Sequence, residues 1–334
     1  MTTTHPLPVG TAHGDPAAIR LSVLDQSPIG EGRSAADALR ATVTLAEYAE
    51  ALGYHRYWLA EHHESRSFAG TAPEVLTGLL LRSTARMRVG TGGILLPRYD
   101  PDKAAETMTL LRRLHPGRVD VGIARGGGPS AGFDDKLQRL YQRLTEPGTG
   151  ATADAGEPVG NLWLLGAGGS TAPLAGRLGA GYAFGHFFAP RNGPTAVAEY
   201  RGHLRAGSSP STVLAVRAVT AEDPRHAAAL AQAMLLWRAR KDLGHDGPIP
   251  TPATAARHIW TPEERAQAAM HRPTVLHGTP EQLHLRLTYL ARAHQATEIM
   301  INTLAASPED RMASYELLAA RFRIGSAQVT PALT

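Results

Sequence analysis

The sequence predicts an α/β protein whose parallel strands close into a (β/α)8 TIM barrel with insertions. The chain has 334 residues, which suits one barrel of about 250 residues with additions. From Leu21 onwards, eight short β-like runs alternate with longer helical runs. The first run continues into Asp25-Gln26-Ser27-Pro28, which lacks the glycine-rich turn of a doubly wound dinucleotide-binding sheet.

Each predicted strand is a short apolar run, and each predicted helix shows apolar residues at helical spacing or a start or stop signal. In the first helix, for example, the periodic residues stop at Gly53, a residue type that suits the position after a helix. The predicted strands are Leu21–Leu24, Arg56–Ala60, Arg88–Leu95, Arg118–Ala124, Leu162–Leu165, Gly181–Gly185, Ser211–Thr220 and Glu298–Asn302. The predicted helices are Ser34–Leu52, Ala72–Ser83, Asp100–Leu114, Phe133–Leu144, Ser170–Leu178, Pro194–Arg205, Asp223–Lys241, Glu281–Gln295 and Pro308–Phe322.

The remaining segments divide the chain into one domain with flanking and inserted pieces. Residues 1–20 are rich in Thr, Pro, Gly and His and are expected to form a flexible leader, without the apolar stretch of a signal peptide. The single barrel domain is predicted over residues 21–325, and residues 326–334 form a tail. Insertions are expected near 126–160, which is rich in small and polar residues, and near 242–275, which contains several prolines and little periodicity.

Composition excludes several classes of function. The chain contains no cysteine, which rules out disulfides, thiolate catalysis and cysteine-ligated metals and is compatible with a cytoplasmic location. The net charge is +4, but Lys and Arg are scattered, so the clustered footprint of a nucleic-acid-binding protein is missing. No window reaches the roughly twenty apolar residues that cross a membrane. We therefore expect neither nucleic acid nor membrane as a partner.

Two histidines and two carboxylates follow the second predicted strand, in Glu61-His62-His63-Glu64. A hydrogen-bonded loop is one interpretation, and a metal site is another, because imidazole and carboxylate suit zinc or iron. Adjacent histidines tend to point apart, and no His-x-His or His-x-x-x-His pair accompanies them, so we expect no metal. Acid/base chemistry is favoured, because histidine both accepts and donates a proton near neutral pH.

Three further strand ends carry residues suited to a ligand. Gly90-Thr91-Gly92-Gly93 predicts either a barrel corner or a bare backbone surface against which a flat ring packs. Arg125 follows the fourth strand and suits either an internal ion pair or a phosphate. The stretch from Gly166 to Thr171 leads directly into a helix, which predicts either a plain helix cap or an anion site built from backbone N–H groups.

Several of these pieces occur together in one known family. Glu61-His62-His63, the Gly90–Pro97 run and the Gly-Arg-x-Asp-x-Gly-x-x-Arg-Gly motif at 117–126, in this order and separation, resemble the bacterial luciferase-like flavin monooxygenases. The similarity continues through the strand at 164–166 to Gly278-Thr279-Pro280-Glu281 and the Arg311–Ala319 segment. It covers nearly the whole chain after residue 20.

The resemblance implies site residues and a cofactor. It implies that reduced FMN lies across the strand ends, with His62 as the acid/base and Glu61 beside it as catalytic candidates. It also implies a non-prolyl cis peptide beneath the ring. The residues that it assigns to the cofactor are Gly92, Gly93, Arg125, Gly168, Gly169, Ser170 and Thr171. Ala124 stands where luciferase has a reactive cysteine, so that reactivity is absent.

The resemblance further implies a two-component monooxygenase. A separate reductase would supply reduced FMN, and dioxygen would oxygenate a small organic substrate. The composition, rich in Ala, Gly and Arg, is associated with a role in secondary metabolism. The first alternative is a hydride-transferring oxidoreductase that uses a reduced deazaflavin on the same barrel. The second is a non-catalytic flavin-binding or partner subunit.

Family members also lead us to expect a homodimer, with the helices near Leu39–Leu52 and Ala72–Leu81 as candidate contacts. One departure concerns the region after Arg125. Family members usually continue with Gly-Thr-Asp and a longer arm, whereas this chain has Gly127-Gly128-Pro129-Ser130 and a short connection. Because that region closes over cofactor and substrate in the family, the departure is expected to alter substrate scope.

Overall fold

The strands and helices follow the alternation expected from the sequence. The structure is a computed structural model that describes residues 19–127, 131–145 and 161–325. The strands are β1 Arg20–Asp25, β2 Arg56–Leu59, β3 Arg88–Thr91, β4 Ile94–Leu95, β5 Val119–Ala124, β6 Leu162–Gly166, β7 Gly181–Gly185, β8 Thr212–Thr220, β9 Val275–Gly278 and β10 Glu298–Asn302. The helices are α1 Ala35–Leu52, α2 Pro73–Ser83, α3 Pro101–Leu114, α4 Phe133–Thr145, α5 Thr171–Leu178, α6 Gly193–Gly202, α7 Pro224–Asp242, α8 Pro252–Arg257, α9 Pro262–His271, α10 Pro280–Ala293 and α11 Pro308–Phe322.

The strands close into a parallel barrel, which confirms the predicted TIM-barrel fold. Around the barrel the order is β1, β2, β3 with β4, β5, β6, β7, β8 and β10, and β10 pairs with both β8 and β1 to complete the circle. All these pairings are parallel. The carboxyl ends of the strands therefore lie at one end of the barrel, where such proteins place their chemistry.

The third predicted strand, Arg88–Leu95, is wrong as one continuous element. β3 ends at Thr91, the strand resumes as β4 at Ile94, and the peptide bond between Gly92 and Gly93 is cis. β3 and β4 pair with successive parts of β5, so together they fill a single position in the barrel.

The segment near 242–275, expected as an insertion with little periodicity, is folded. It holds α8 and α9, and β9 begins at its end and pairs with Arg217–Thr220 beyond the closed barrel. The two helices have 6 and 10 residues, too short to show a clear hydrophobic period. At the amino terminus, β1 already includes Arg20, the last residue of the expected leader. Residues 1–18, 128–130, 146–160 and 326–334, which carry the other predicted flexible pieces, lie outside the described residues.

Proline and capping residues explain why most helices begin where the sequence predicts. Seven helices (α2, α3 and α7 to α11) begin with proline, whose missing N–H costs nothing at the first helical position. Thr261 and Thr279 form capping boxes with the residues three positions later. At the other end of α1, Gly53 adopts φ +89°, the left-handed conformation that glycine tolerates without strain.

The interior of the barrel is packed at its amino-terminal end. Arg56 forms ion pairs with Asp120 at 2.8 Å and with Glu298 at 2.7 Å. Burial alone would raise the pKa of Asp120, but the nearby Arg56 and Arg88 hold it below its usual value. Trp58 and Trp163 lie against each other with ring centroids 5.3 Å apart, and both are buried. These side chains fill the lower half of the barrel and leave its upper end for ligands.

Candidate functional site

The predicted site segments leave neighbouring strands at the carboxyl end of the barrel. His62 follows β2, the two glycines lie between β3 and β4, Arg125 follows β5, and the segment 168–171 follows β6. These strands are adjacent in the order β2, β3, β5, β6. The parallel topology therefore brings the sequence-predicted residues to one side of the barrel mouth.

Gly92 and Gly93 form a stretch of backbone with no room for side chains. A Cβ atom at Gly93 would lie 2.8 Å from the carbonyl oxygen of Gly122, and one at Gly92 would lie 2.8 Å from side-chain atoms of Leu24 and Trp58. Distances below 3.0 Å force the neighbours to move. Only glycine therefore fits at these two positions, and the strand presents no side chain here, which is compatible with a flat ring packing on backbone.

Glu61 is buried and turned toward the segment that follows the two glycines. Its carboxylate accepts hydrogen bonds from the backbone N–H of Leu95 at 2.9 Å and from the hydroxyl of Tyr99 at 2.8 Å, and its other partner is the ring of His63. Burial, and then the hydrogen bond to Glu61, raises the pKa of Tyr99. These contacts connect β2 to β4 and favour a positioning role for Glu61.

His62 is half-buried and held from three directions. Its backbone N–H donates to the carbonyl of Gly70 at 2.8 Å, its ring lies 4.3 Å from the ring of Phe68, and its Nε2 lies 2.9 Å from Nε2 of Gln26. Because the Gln26 amide nitrogen donates, Nε2 of His62 accepts and the ring proton lies on Nδ1. Nδ1 has no hydrogen-bond partner in the described structure.

The environment of His62 keeps the imidazole neutral. Burial is the largest cause, followed by the positive charge of Lys241, and together they lower the pKa of His62 to about 4. At neutral pH the ring therefore has one nitrogen that accepts and one N–H that donates. Such a ring can donate a hydrogen bond from Nδ1 to a reacting group, and it can take up a proton at Nε2 when the Gln26 amide turns away.

Arg125 and the start of α5 form an exposed cationic corner. Arg125 is exposed and makes no hydrogen bond or ion pair within the described part of the chain, so the internal ion pair considered from the sequence is not formed there. Gly168 and Gly169 adopt φ values of +112° and +64°. Ser170 precedes α5 without a side-chain capping bond, and Thr171 is the first helical residue. The N–H groups of the first helical turn consequently remain available to an anion.

Four residues of the mouth were not predicted from the sequence: Gln26, Phe68, Arg217 and Trp237. Gln26 and Phe68 contact His62 directly. Arg217 is buried within β8 and lies against Trp237. One signal was available for Arg217, since it is the single charged residue in the nine-residue run of β8. Nothing in the local sequence marks the other three.

Neither a metal cluster nor a membrane-spanning helix occurs in residues 19–127, 131–145 and 161–325. No group of three or more His, Asp or Glu side chains is arranged to hold a metal ion in these ranges. None of the helices in them has the length and apolar character needed to cross a membrane.

Comparison with known proteins assigns the chain to a family. Residues 19–147 match the family model described as luciferase-like monooxygenase. A luciferase-like monooxygenase of Escherichia coli K12 is 31% identical, over 90% of this chain and 96% of its own length. This chain belongs to the luciferase-like monooxygenase family, and it is therefore an oxidoreductase. The N-acetyl-S-alkylcysteine monooxygenase of Bacillus subtilis is 32% identical, over 90% of this chain and 97% of its own length.

Solved structures agree with the fold. Apo-MsnO8 is similar, with a TM-score of 0.85 and 32% identity, covering 93% of this chain and 99% of MsnO8. More distant neighbours share the barrel only. One is the oxygenating constituent of 3,6-diketocamphane monooxygenase of Pseudomonas putida in complex with FMN (TM-score 0.63, 17% identity, 94% and 100% coverage). Another is an F420-dependent secondary alcohol dehydrogenase (TM-score 0.63, 15% identity, 91% and 99% coverage).

Proposed function

We propose that this protein is the oxygenating component of a two-component system that uses reduced FMN, delivered by a separate reductase, and dioxygen to oxygenate a small organic substrate. When bound, reduced FMN would supply the two electrons that place one oxygen atom in the substrate and release the other as water. The observation that carries the proposal is the side-chain-free backbone at Gly92–Gly93, next to a cationic corner on neighbouring strand ends.

The residues fit a cofactor with a flat ring and a phosphate tail. The ring would lie on Gly92–Gly93, where the strand presents no side chain. The phosphate would be bound by Arg125, the backbone around Gly168 and Gly169, and Ser170 and Thr171 at the uncapped start of α5. The FMN-bound fold neighbour and the relative that acts on N-acetyl-S-alkylcysteine support a flavin and a small organic substrate.

His62 is proposed as the acid/base of the reaction. Its neutral ring would accept a proton from the reacting group at Nε2, once the Gln26 amide turns away, and return it later. Gln26 and Phe68 fix the orientation of the ring. Glu61 is proposed to hold the peptide under the cofactor by binding Leu95 and Tyr99. A His62→Ala protein should lose turnover by roughly 10²- to 10⁴-fold and still bind the cofactor.

A homodimer and a cytoplasmic location complete the proposal. Val75 and Leu79 of α2 and Leu110 and Leu114 of α3 are exposed apolar side chains on two helices that pack side by side. The lack of cysteine suits the reducing cytoplasm. Light scattering should give the mass of two chains, and Leu79→Glu should reduce it to one chain while leaving the helical content unchanged.

The test of the reaction class compares the two reduced cofactors under anaerobic conditions. Titrations followed by tryptophan fluorescence should show that reduced FMN binds at least about ten-fold more tightly than reduced deazaflavin. Admission of dioxygen should then produce an absorbance change that free reduced FMN does not show. Tight binding of deazaflavin with no binding of reduced FMN would replace the proposal by hydride transfer. Binding of FMN without any reaction with dioxygen would indicate a non-catalytic flavoprotein.

A further inference from the structure

Three arginines are almost completely buried in the described structure, and they differ in their partners. Arg56, Arg217 and Arg311 are each exposed by less than 5%. Arg56 forms ion pairs with two carboxylates, and Arg311 forms one with Asp25 at 2.7 Å. Arg217 has no carboxylate within 4.0 Å among the described residues, and its hydrogen bond there joins Nε to Oδ1 of Asn302 at 3.4 Å. Buried charges are usually paired, so the unpaired guanidinium calls for an explanation.

Arg217 nevertheless keeps its charge. Burial, and then the like charge of Arg238, lowers the pKa of Arg217 to about 9, so it remains a cation at neutral pH. The guanidinium lies 5.1 Å from the ring centroid of Phe187 and 5.5 Å from that of Trp237. Such cation–π contacts offset part of the cost of burying a charge. They leave the terminal N–H donors without an oxygen acceptor among the described residues.

The position of Arg217 places it across the mouth from the bare glycines. β3 with β4 is the third strand position of the barrel and β8 is the seventh, so the two lie on opposite walls. A chain of ring contacts joins Arg217 to His62. Trp237 lies beside Arg217, Phe68 lies 5.4 Å from Trp237, and His62 lies 4.3 Å from Phe68. Arg217, His62 and Gly92–Gly93 therefore surround the same mouth.

We propose that Arg217 binds a carboxylate of the organic substrate and thereby holds the substrate between the Gly92–Gly93 wall and β8, with its reacting atom beside His62. The assignment of this carboxylate to the substrate rests on the proposed monooxygenase function. Because Asn302 accepts from Nε, the two terminal nitrogens of Arg217 remain for a bidentate contact, the geometry in which a guanidinium binds a carboxylate.

The surroundings favour a carboxylate over a more highly charged group such as a phosphate ester. A doubly charged ligand would need a second cation, and the neighbouring ones are already neutralised. Lys241 forms an ion pair with Asp246 at 2.6 Å, and Arg238 forms one with Asp242. The rings of Phe187 and Trp237 make the rest of this wall apolar. A monoanion attached to an apolar or aromatic body matches both features.

The first experiment uses the full-length protein without cofactor and three matched pairs of probes: acetate and acetamide, hexanoate and hexanamide, benzoate and benzamide. Binding is measured by calorimetry and by the fluorescence of tryptophan, since Trp237 packs on the proposed site. The variants are Arg217→Met, Arg217→Lys and, as a matched control, Arg201→Met on the exposed face of α6. Loss of an unpaired buried charge is not expected to unfold the protein, and the lysine variant tests the same point if Arg217→Met fails to fold.

We expect at least one carboxylate to bind the wild-type protein about 10- to 100-fold more tightly than its amide, the range given by hydrogen bonds to charged groups. Arg217→Met should abolish this preference without changing the affinity for the amide, Arg217→Lys should retain part of it, and Arg201→Met should retain all of it. The proposal is overturned if no carboxylate is preferred, if none binds, or if Arg217→Met retains the preference.

A second variant neutralises Arg217 from within the protein. In Asn302→Asp a carboxylate replaces the amide oxygen that lies 3.4 Å from Nε and competes with any bound anion. Carboxylate affinity should fall by at least about ten-fold while amide affinity stays constant. Unchanged carboxylate affinity in this variant would contradict the proposal.

Titration with reduced FMN separates this inference from the proposed function. Arg217→Met should bind reduced FMN as the wild type does. If it loses FMN affinity and keeps the carboxylate preference, Arg217 belongs to the cofactor site and the inference fails. If the wild type binds carboxylates through Arg217 but binds no reduced FMN, the monooxygenase function fails and the anion site stands.

Discussion

Replacement of Glu61 by glutamine tests whether this carboxylate holds the barrel wall or takes part in the reaction. The side chain is fully buried and receives hydrogen bonds from the N–H of Leu95 and the hydroxyl of Tyr99. Glutamine has the same shape but offers one acceptor oxygen, and its NH₂ group would face a donor. The variant therefore loses one charge-assisted hydrogen bond and weakens another.

The expected loss of stability follows from these contacts. A hydrogen bond to a charged group contributes about 1.5–3 kcal/mol and a neutral one about 0.5–1.5 kcal/mol, so losing one and weakening another should lower the free energy of unfolding by about 2–4 kcal/mol. An unfolding entropy of about 2.1 cal/mol/K per residue gives about 0.7 kcal/mol/K for a chain of this length. The melting temperature should therefore fall by about 3–6 °C.

Urea and thermal unfolding of Glu61→Gln measure this effect, with Glu64→Gln as the control. Glu64 lies in the same segment but is exposed, so its variant should stay within about 0.5 kcal/mol of the wild type. A double-mutant cycle with Tyr99→Phe should give a coupling energy of about 0.5–3 kcal/mol. If Glu61→Gln is as stable as the control yet loses turnover, Glu61 is a catalytic group and the positioning role is wrong.

Three further predictions concern separate parts of the structure. Because burial lowers the pKa of His62 to about 4, its ring is protonated more readily in the unfolded state, and the protein should lose about 2 kcal/mol of stability from this residue between pH 7 and pH 5. Urea unfolding at both pH values should show a smaller loss for His62→Gln, and equal losses would contradict this. Gly122→Ala would place a Cβ atom 2.0 Å from the carbonyl oxygen of Thr91 and should lower the free energy of unfolding by about 3 kcal/mol or more. Gly202→Ala, which has open space in α6, should raise it by up to about 1 kcal/mol, and equal melting temperatures for the two variants would refute this. Arg125→Met should weaken binding of FMN by about 10- to 100-fold but not that of riboflavin, and parallel losses for both would remove Arg125 from the phosphate site.

The sequence predicted the barrel well because its strong signals are local. Proline and Ser, Thr or Asp caps mark helix starts, and the predicted strand bounds agree with β1, β2, β5, β6, β7, β8 and β10 to within two residues. The same signals were present for the helices that were missed. Thr251-Pro252 and Thr261-Pro262 each begin a short helix, but the helices are too short for periodicity to confirm them.

The candidate site was less accessible to sequence reasoning. The segments that follow neighbouring strands were predicted from topology to lie together. The residues around Gly92 and Arg125 also carried the family resemblance. Gln26 and Phe68 belong to the site through contacts with His62 that join different loops. The special feature of Arg217 is the lack of a carboxylate nearby in the described structure, a property of the packed barrel that no local pattern encodes.

The closed amino-terminal end of the barrel has a kinetic consequence. Arg56, Trp58, Trp163, Asp120 and Glu298 are all buried, so under the proposed function cofactor, substrate and product would exchange through the opposite end, where the strands finish. A molecule that enters such a passage first can block the entry of a second. At high concentration the substrate should therefore occupy the empty barrel first and exclude the cofactor, so that the rate rises to a maximum and then declines.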